Sequence, residues 1–268
     1  MKYTHNILGS VFCAILAILL PVYAFADYED HPKTPQLLHN LKQNHGFTPH
    51  QIGVVLDALD EAERIDKLIQ HERKSPEKVR PWYEYRPIHI NEWNISNGVE
   101  FMRKYRTHLL RAEKKYGVPV EVITAIIGVE TKYGNYTGKN RILDALATQG
   151  FDHPTRQTFF FNELEQFFVL CREIDIHPEE PKGSYAGAMG LAQFMPSNYR
   201  TLAVDFDGNG YIDLWEPVDA IGSVASYLAN YRGPGKGWKP GQPVAEPVQT
   251  PAVKPVKYNA SKHPESTT

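Results

Sequence analysis

The 268-residue chain is poor in cysteine, in charge of one sign and in long apolar runs, and each scarcity excludes something. Of its two cysteines, Cys13 lies within the first 26 residues, so beyond that segment Cys171 stands alone and no internal disulfide can form. Its 29 Lys+Arg balance 31 Asp+Glu without a basic patch, which argues against nucleic acid as a partner. No internal repeat is visible, which removes solenoid and propeller arrays. What remains, 42% hydrophobic and 22% charged, suits a globular protein with a sizeable core, in one large domain or two small ones.

The first 26 residues read as a targeting segment. Lys2 is the only charged residue before Asp27; an apolar run, Ile7 to Leu20, precedes Pro21 and the small-x-small end Ala24-Phe25-Ala26. This is the layout of a cleaved secretory signal. The alternative is an uncleaved anchor, but the run is short for a membrane span of about 20 residues. Cys13 lacks the small residues that precede a lipid-modified cysteine. A periplasmic protein without a stable membrane anchor is the expectation.

The chain then reads as helices. Pro35 to Asn44 ends at Gly46, and Thr48-Pro49-His50-Gln51 combines a capping box with proline at the first helical position. A long helix is expected from there to about Arg73, on the stripe Ile52, Val55, Leu56, Leu59, Ala62, Ile65 and Ile69. Pro76 and Pro81 interrupt, and Trp82 to Ile90 alternates like an extended segment. Ser96 is expected to cap a helix closed by Gly117. Further helices are expected over Ile142 to Thr148, Thr155 to Ile174, with Cys171 on its apolar face, and Pro217 to Tyr231. From Pro240 the tail is rich in proline and poor in aromatics, the composition of a disordered segment or linker.

Val118 to Gly134, VPVEVITAIIGVETKYG, reads as the apolar helix around which the chain is organised, and Glu130 is its odd member. Helical spacing puts Glu130 on one side with Ile123, Ile126 and Ile127. Apolar neighbours and the helix C-terminus both penalise its ionised form, so its pKa is expected to rise, as a general acid requires. The other reading is half of a core ion pair, with Lys132 the nearest cation.

Two further motifs follow. GSYAGAMGLAQFMPSNY, Gly183 to Tyr199, is dense in glycine and alanine, which admit close backbone approach by another helix or by a ligand; Ser184 and Gln193 are its polar candidates for the latter. DFDGNGYIDLWE, Asp205 to Glu216, satisfies every position of the EF-hand loop pattern. Asp205, Asp207 and Asn209 supply side-chain oxygens, Tyr211 its carbonyl and Glu216 a bidentate carboxylate, with Asp219 competing to close the site. The alternative is an acidic turn without metal. A calcium ion here would pin structure rather than sense calcium.

GVETKYG, GSYAGAMGLAQFMPSNY and DFDGNGYIDLWEPVDAIGSVASYL, in this order and spacing, resemble the MltB-type lytic murein transglycosylases of Gram-negative bacteria. The resemblance runs from about Pro35 through Val244. It implies a mainly α, lysozyme-like helical core with an EF-hand-like calcium loop, and non-hydrolytic cleavage of the MurNAc to GlcNAc β-1,4 bond of peptidoglycan. Glu130 matches the single catalytic acid/base, which protonates the glycosidic oxygen and then takes the proton of the MurNAc C6 hydroxyl as the 1,6-anhydro ring closes. Ordinary glycosidases use two carboxylates. Ser184, Gln193 and Tyr227 match substrate-cleft positions; Tyr85 and Arg156 match positions that meet the peptide stem, and Thr155 stands where the family has a paired arginine. Asp205, Asp207, Asn209, Tyr211 and Asp219 match the calcium loop, which the family closes at the Asp219 position.

The organisation that follows is a signal peptide over 1–26, an N-terminal helical region over 27–92, a catalytic core over 93–239 with the calcium loop at 205–219, and a Pro-rich tail over 240–268. Relatives carry more folded chain where this tail begins, including a Tyr-Asn-x-Ser motif whose letters recur at Tyr258-Asn259-Ala260-Ser261. Peptidoglycan glycan strands are the expected partner. Two other functions compete: a lysozyme-type hydrolase of the same substrate, and a weak or inactive murein-binding protein.

Overall fold

The computed structural model describes residues 28–71 and 81–241. Expectations for the targeting segment, Arg73, and the tail from 242, with Tyr258 to Ser261, lie outside them. Eleven helices are present among the described residues: α1 (Thr34–His45), α2 (Pro49–Asp60), α3 (Asp66–His71), α4 (Trp82–His89), α5 (Glu92–Lys104), α6 (Arg106–Tyr116), α7 (Val120–Thr131), α8 (Ile142–Asp152), α9 (Gln157–Glu173), α10 (Pro196–Leu202) and α11 (Pro217–Asn230). Strands β1 (Asn140–Arg141) and β2 (Lys182–Gly183) pair antiparallel, Asn140 opposite Gly183. No helix of the described residues is long and apolar enough to cross a membrane.

The chain forms two compact units, each from separated stretches. The first comprises the described residues among 1–79, 138–188 and 195–197. Its centre is α8, buried at every residue from Ile142 through Phe151, against which α9 packs. Cys171 on α9 is a core residue, as its face implied, and burial pushes its thiol well above the ordinary range. Buried polar groups of α8 hold the chain that follows α2: Asp144 accepts from the Glu63 N–H at 3.0 Å and Thr148 from the Ile65 N–H at 2.9 Å. Arg141 donates to the Glu61 carbonyl at 2.7 Å. These bonds explain why the expected long helix stops at Asp60. The Glu61 carbonyl and the N–H groups of Glu63 and Ile65 find their partners on β1 and α8 rather than in a next helical turn. The Thr48 capping box is present as expected.

The second unit comprises the described residues among 80–137, 189–194 and 198–268. Here α5, α6 and α11 pack on α7, and α11 also lies along α6. Trp82 to His89 is helical, not extended; none of α4 is buried, so no inward face constrained its pattern and the alternation of aromatics carried no strand information. The helix expected to start at Ser96 starts instead after Asn91, whose side chain accepts from the Asn94 N–H at 3.0 Å, and it breaks at Tyr105 into α5 and α6. In the first unit, α9 begins at Gln157 rather than Thr155 because the His153 imidazole takes the N–H groups of Thr155 and Arg156, at 3.2 and 2.9 Å.

Candidate active site

Pro119 starts α7, and Ile123, Thr124, Ile127, Gly128 and Thr131 form its buried face. Glu130 sits beside that face rather than on it: Ile123 and Ile127 are buried, Ile126 is half-buried, and Glu130 opens to solvent. Enough protein surrounds its carboxyl to raise the pKa all the same, and desolvation is the cause. No ion pair or hydrogen bond reaches Glu130 among the described residues, and the Lys132 ammonium lies 6.0 Å from the Trp93 ring centroid instead. A carboxyl that is open to a ligand, desolvated and free of a neutralising cation can hold a proton and deliver it.

The helix ends in an unusual turn. Lys132, Tyr133 and Gly134 are successively left-handed, with φ of 51°, 61° and 87°. Two of these residues carry side chains, where glycine is the ordinary choice. Thr131 anchors the turn, its hydroxyl accepting from the Gly134 N–H at 3.1 Å and lying 3.2 Å from the carbonyls of both Ile127 and Leu191. Neither Thr131 nor Tyr133 was singled out from sequence; the two non-glycine residues in left-handed backbone leave no mark on the pattern.

Leu191 opens the tight segment that carries Gln193, bracketed by a bridge between Met189 and Phe194. Gln193 is left-handed, φ 50°, and its Nε2 donates to the carbonyls of Thr137 and Gly190, at 3.2 and 2.9 Å. That network leaves Oε1 as the unspent end of the amide. Phe194 tilts against the Tyr227 ring, 5.4 Å between centroids, and Tyr227 stacks on Tyr231 at 5.6 Å. Thr131, the 189–194 segment and Tyr227 thus form one connected series in the second unit. Tyr85 belongs to this unit too, lining a cavity of about 420 Å³ with Trp82, His89, Val129 and Tyr133.

Ser184 and Arg156 belong to the first unit. The Ser184 hydroxyl accepts from the N–H groups of Ala186 and Ala188, at 3.2 and 3.0 Å, so its own proton is available to donate. Arg156 spreads its guanidinium over Phe159 and Phe160, 4.8 and 4.9 Å from their centroids. The glycines of this motif serve close packing: a Cβ on Gly183 would meet the Ala188 carbonyl oxygen at 2.2 Å, and one on Gly187 the Leu146 side chain at 2.4 Å.

In the acidic loop, Asp205, Asp207 and Asp219 bring carboxylate oxygens within 4.8 Å of one another. Asp205 accepts from the N–H groups of Gly208, Asn209 and Gly210, which hold its pKa below the usual range, Gly210 most strongly. Asp219 is fully buried and fixes both ends of the loop, accepting from Phe206 at 2.7 Å, Asp207 at 3.1 Å and Asp213 at 2.9 Å. Asn209 turns its side-chain oxygen to the Tyr211 N–H at 2.8 Å, and the Tyr211 ring is exposed. Glu216 is exposed at the N-cap of α11 and is not part of the three-carboxylate cluster. From α6, Arg111 donates to the Phe206 carbonyl and covers the Phe206 ring at 4.1 Å, a support that the loop pattern does not encode. Three converging carboxylates, one held by buried backbone bonds, fit a hard divalent cation.

The family described as transglycosylase SLT domain matches residues 30–268. The chain belongs to this family. Among transglycosylase relatives, the membrane-bound lytic murein transglycosylase B of Escherichia coli (strain K12) is 43% identical over 228 residues, 82% of this chain; the chain spans 61% of that relative's length. The lytic transglycosylase SltB1 of Pseudomonas aeruginosa superposes with a TM-score of 0.74 at 45% identity, over 81% of this chain and 69% of that one. The Escherichia coli lytic transglycosylase SLT35, solved in complex with calcium, gives 0.71 at 43% identity, over 81% and 67%. The fold is therefore the mainly helical, lysozyme-like one of the transglycosylase family.

Proposed function

We propose that this chain is a peptidoglycan lytic transglycosylase with Glu130 as its single acid/base. The observation that carries the reading is the state of Glu130: desolvated, open to solvent and without an ionic partner. As the neutral acid, Glu130 gives its proton to the glycosidic oxygen between MurNAc and GlcNAc while the C1 to oxygen bond breaks. The resulting carboxylate then takes the C6 hydroxyl proton of the same MurNAc, and O6 bonds to C1. The 1,6-anhydro ring closes, Glu130 recovers its proton and no water is consumed. A single residue can serve both steps only with a pKa near working pH, which desolvation favours here.

Gln193 Oε1 and the Tyr227 hydroxyl are assigned to sugar substituents, and Tyr85 to the peptide stem. The family resemblance assigns Ser184 and Arg156 to substrate contact as well, roles that variants of each test separately. Asp205, Asp207, Asn209 and Asp219 side chains and the Tyr211 carbonyl are assigned to calcium, with Asp219 rather than Glu216 closing the site. Bound calcium would supply positive charge that offsets these carboxylates, while the loop residues themselves orient α11 and hence Tyr227. Export to the periplasm by residues 1–26 completes the reading.

Mass spectrometry of peptidoglycan digested by the wild-type chain and by Glu130→Gln tests it. Anhydro-ended muropeptides from wild type alone are expected. Reducing ends would make the protein a hydrolase, and no release by folded wild type would leave murein binding.

A further inference from the structure

Tyr133 lies three residues past Glu130 and has no part in the mechanism, yet its surroundings are built for it. A Cβ on Gly98 of α5 would stand 2.7 Å from the Tyr133 hydroxyl, and one on Gly128 of α7 would stand 2.6 Å from the ring carbon Cζ. Both helices therefore expose bare backbone where the ring enters. The hydroxyl donates to the Asn94 carbonyl at 2.8 Å, and the ring tilts against Phe101 with centroids 5.7 Å apart. Tyr133 itself is in left-handed backbone, φ 61°, between left-handed Lys132 and Gly134. A run of this kind persists only where surrounding contacts over-determine it. The wedged ring is such a contact, and it acts on the last turn of α7, from which Glu130 projects.

We propose that Tyr133 is a positioning residue: its ring, wedged between Gly98 and Gly128 with the hydroxyl on the Asn94 carbonyl, holds the left-handed end of α7 and so sets where Glu130 presents its carboxyl. This rests on the assignment of Glu130 as the acid. Without the wedge, the turn relaxes toward ordinary backbone and the carboxyl moves away from the glycosidic oxygen. Displacement of a catalytic group by about 1 Å can cost on the order of a hundredfold in rate. The ring acts through the backbone of α7 and not on the reacting atoms, and it also forms part of the wall of the Tyr85 cavity, so kcat falls by much more than KM changes.

The test is steady-state release of anhydro-ended products from soluble peptidoglycan fragments by the full chain, its Tyr133→Ala, Tyr133→Phe and Gly128→Ala variants, and Glu130→Gln. Tyr133→Ala is expected to lower kcat on the order of a hundredfold with a much smaller change in KM. Tyr133→Phe, which keeps the ring, restores most of the rate. Wild-type kcat in folded Tyr133→Ala, or a loss confined to KM, overturns the proposal. If Tyr133→Ala does not fold, Gly128→Ala decides: it drives a methyl into the ring, and an unchanged kcat again overturns the proposal. Full activity in Glu130→Gln is a different failure, of the acid assignment, and is read independently of the Tyr133 variants.

Discussion

The Thr131 hydroxyl lies 3.2 Å from the carbonyl of Leu191, a residue 60 positions further along the chain. Through that contact the end of the helix carrying Glu130 is tied to the segment carrying Gln193. Replacing Thr131 by valine keeps the shape and removes both the donor and the acceptor for the Gly134 N–H. The expected loss is about 1–3 kcal/mol of stability, the cost of buried backbone groups left without partners. Urea unfolding measures it, and Thr131→Ser is expected to recover most of the loss.

Glu130 gives a pH prediction with a definite sign. Its folded pKa is raised by desolvation, so its contribution to stability is complete below the ordinary glutamate range and is lost as pH rises through the raised value. Glu130→Gln cannot ionise. Its melting temperature is therefore expected to match wild type in acid and to exceed it increasingly as pH rises. With Glu130 assigned as the acid, activity is expected to follow the same group, persisting above the usual glutamate range and falling as pH passes the raised pKa. Parallel melting curves for the two proteins at every pH would contradict this.

Calcium removal provides a third measurement. A ligand bound only by the folded chain stabilises it by about 2.7 kcal/mol at a hundredfold excess over Kd. Chelation is expected to lower the melting temperature, and added calcium to restore it. Asp219 is buried within the carboxylate cluster whereas Glu216 is exposed outside it. Asp219→Asn is accordingly expected to abolish the calcium-dependent shift and Glu216→Gln to retain it.

In the first unit, Thr148→Val tests how the irregular 61–65 stretch is held. The Thr148 hydroxyl accepts the Ile65 N–H at 2.9 Å and receives the Tyr28 hydroxyl at 3.5 Å. Its loss is expected to cost about 1–3 kcal/mol, with faster hydrogen exchange at the Ile65 amide. Unchanged exchange there would mean that other contacts fix the stretch.

Local signals were legible wherever neighbours in sequence settle the matter. The Thr48 capping box, the glycine that ends α1, Pro119 at the head of α7 and the Asp-rich loop are satisfied by groups a few residues away, so residue order reveals them. Glu130 was legible because a carboxylate beside isoleucines in an apolar helix breaks a pattern. Its exact setting was not: period alone placed it among three isoleucines, whereas packing by α5, α6 and α11 determines which of them are buried.

The sequence by itself determined the mainly helical class, the raised pKa of Glu130 and the acidic loop, since each follows from composition, period or short spacing. Tertiary structure alone decided the stop of α2, the helicity of Trp82 to His89, the left-handed turn after Glu130 and the burial of Asp219. In each case the deciding group lies far away in sequence or the local pattern is ambiguous: Asp144 and Thr148 take the backbone past α2, and Gly98 and Asn94 receive Tyr133. A backbone amide adopts whichever partner the fold brings within reach, and no local pattern names a partner that chain folding has yet to deliver.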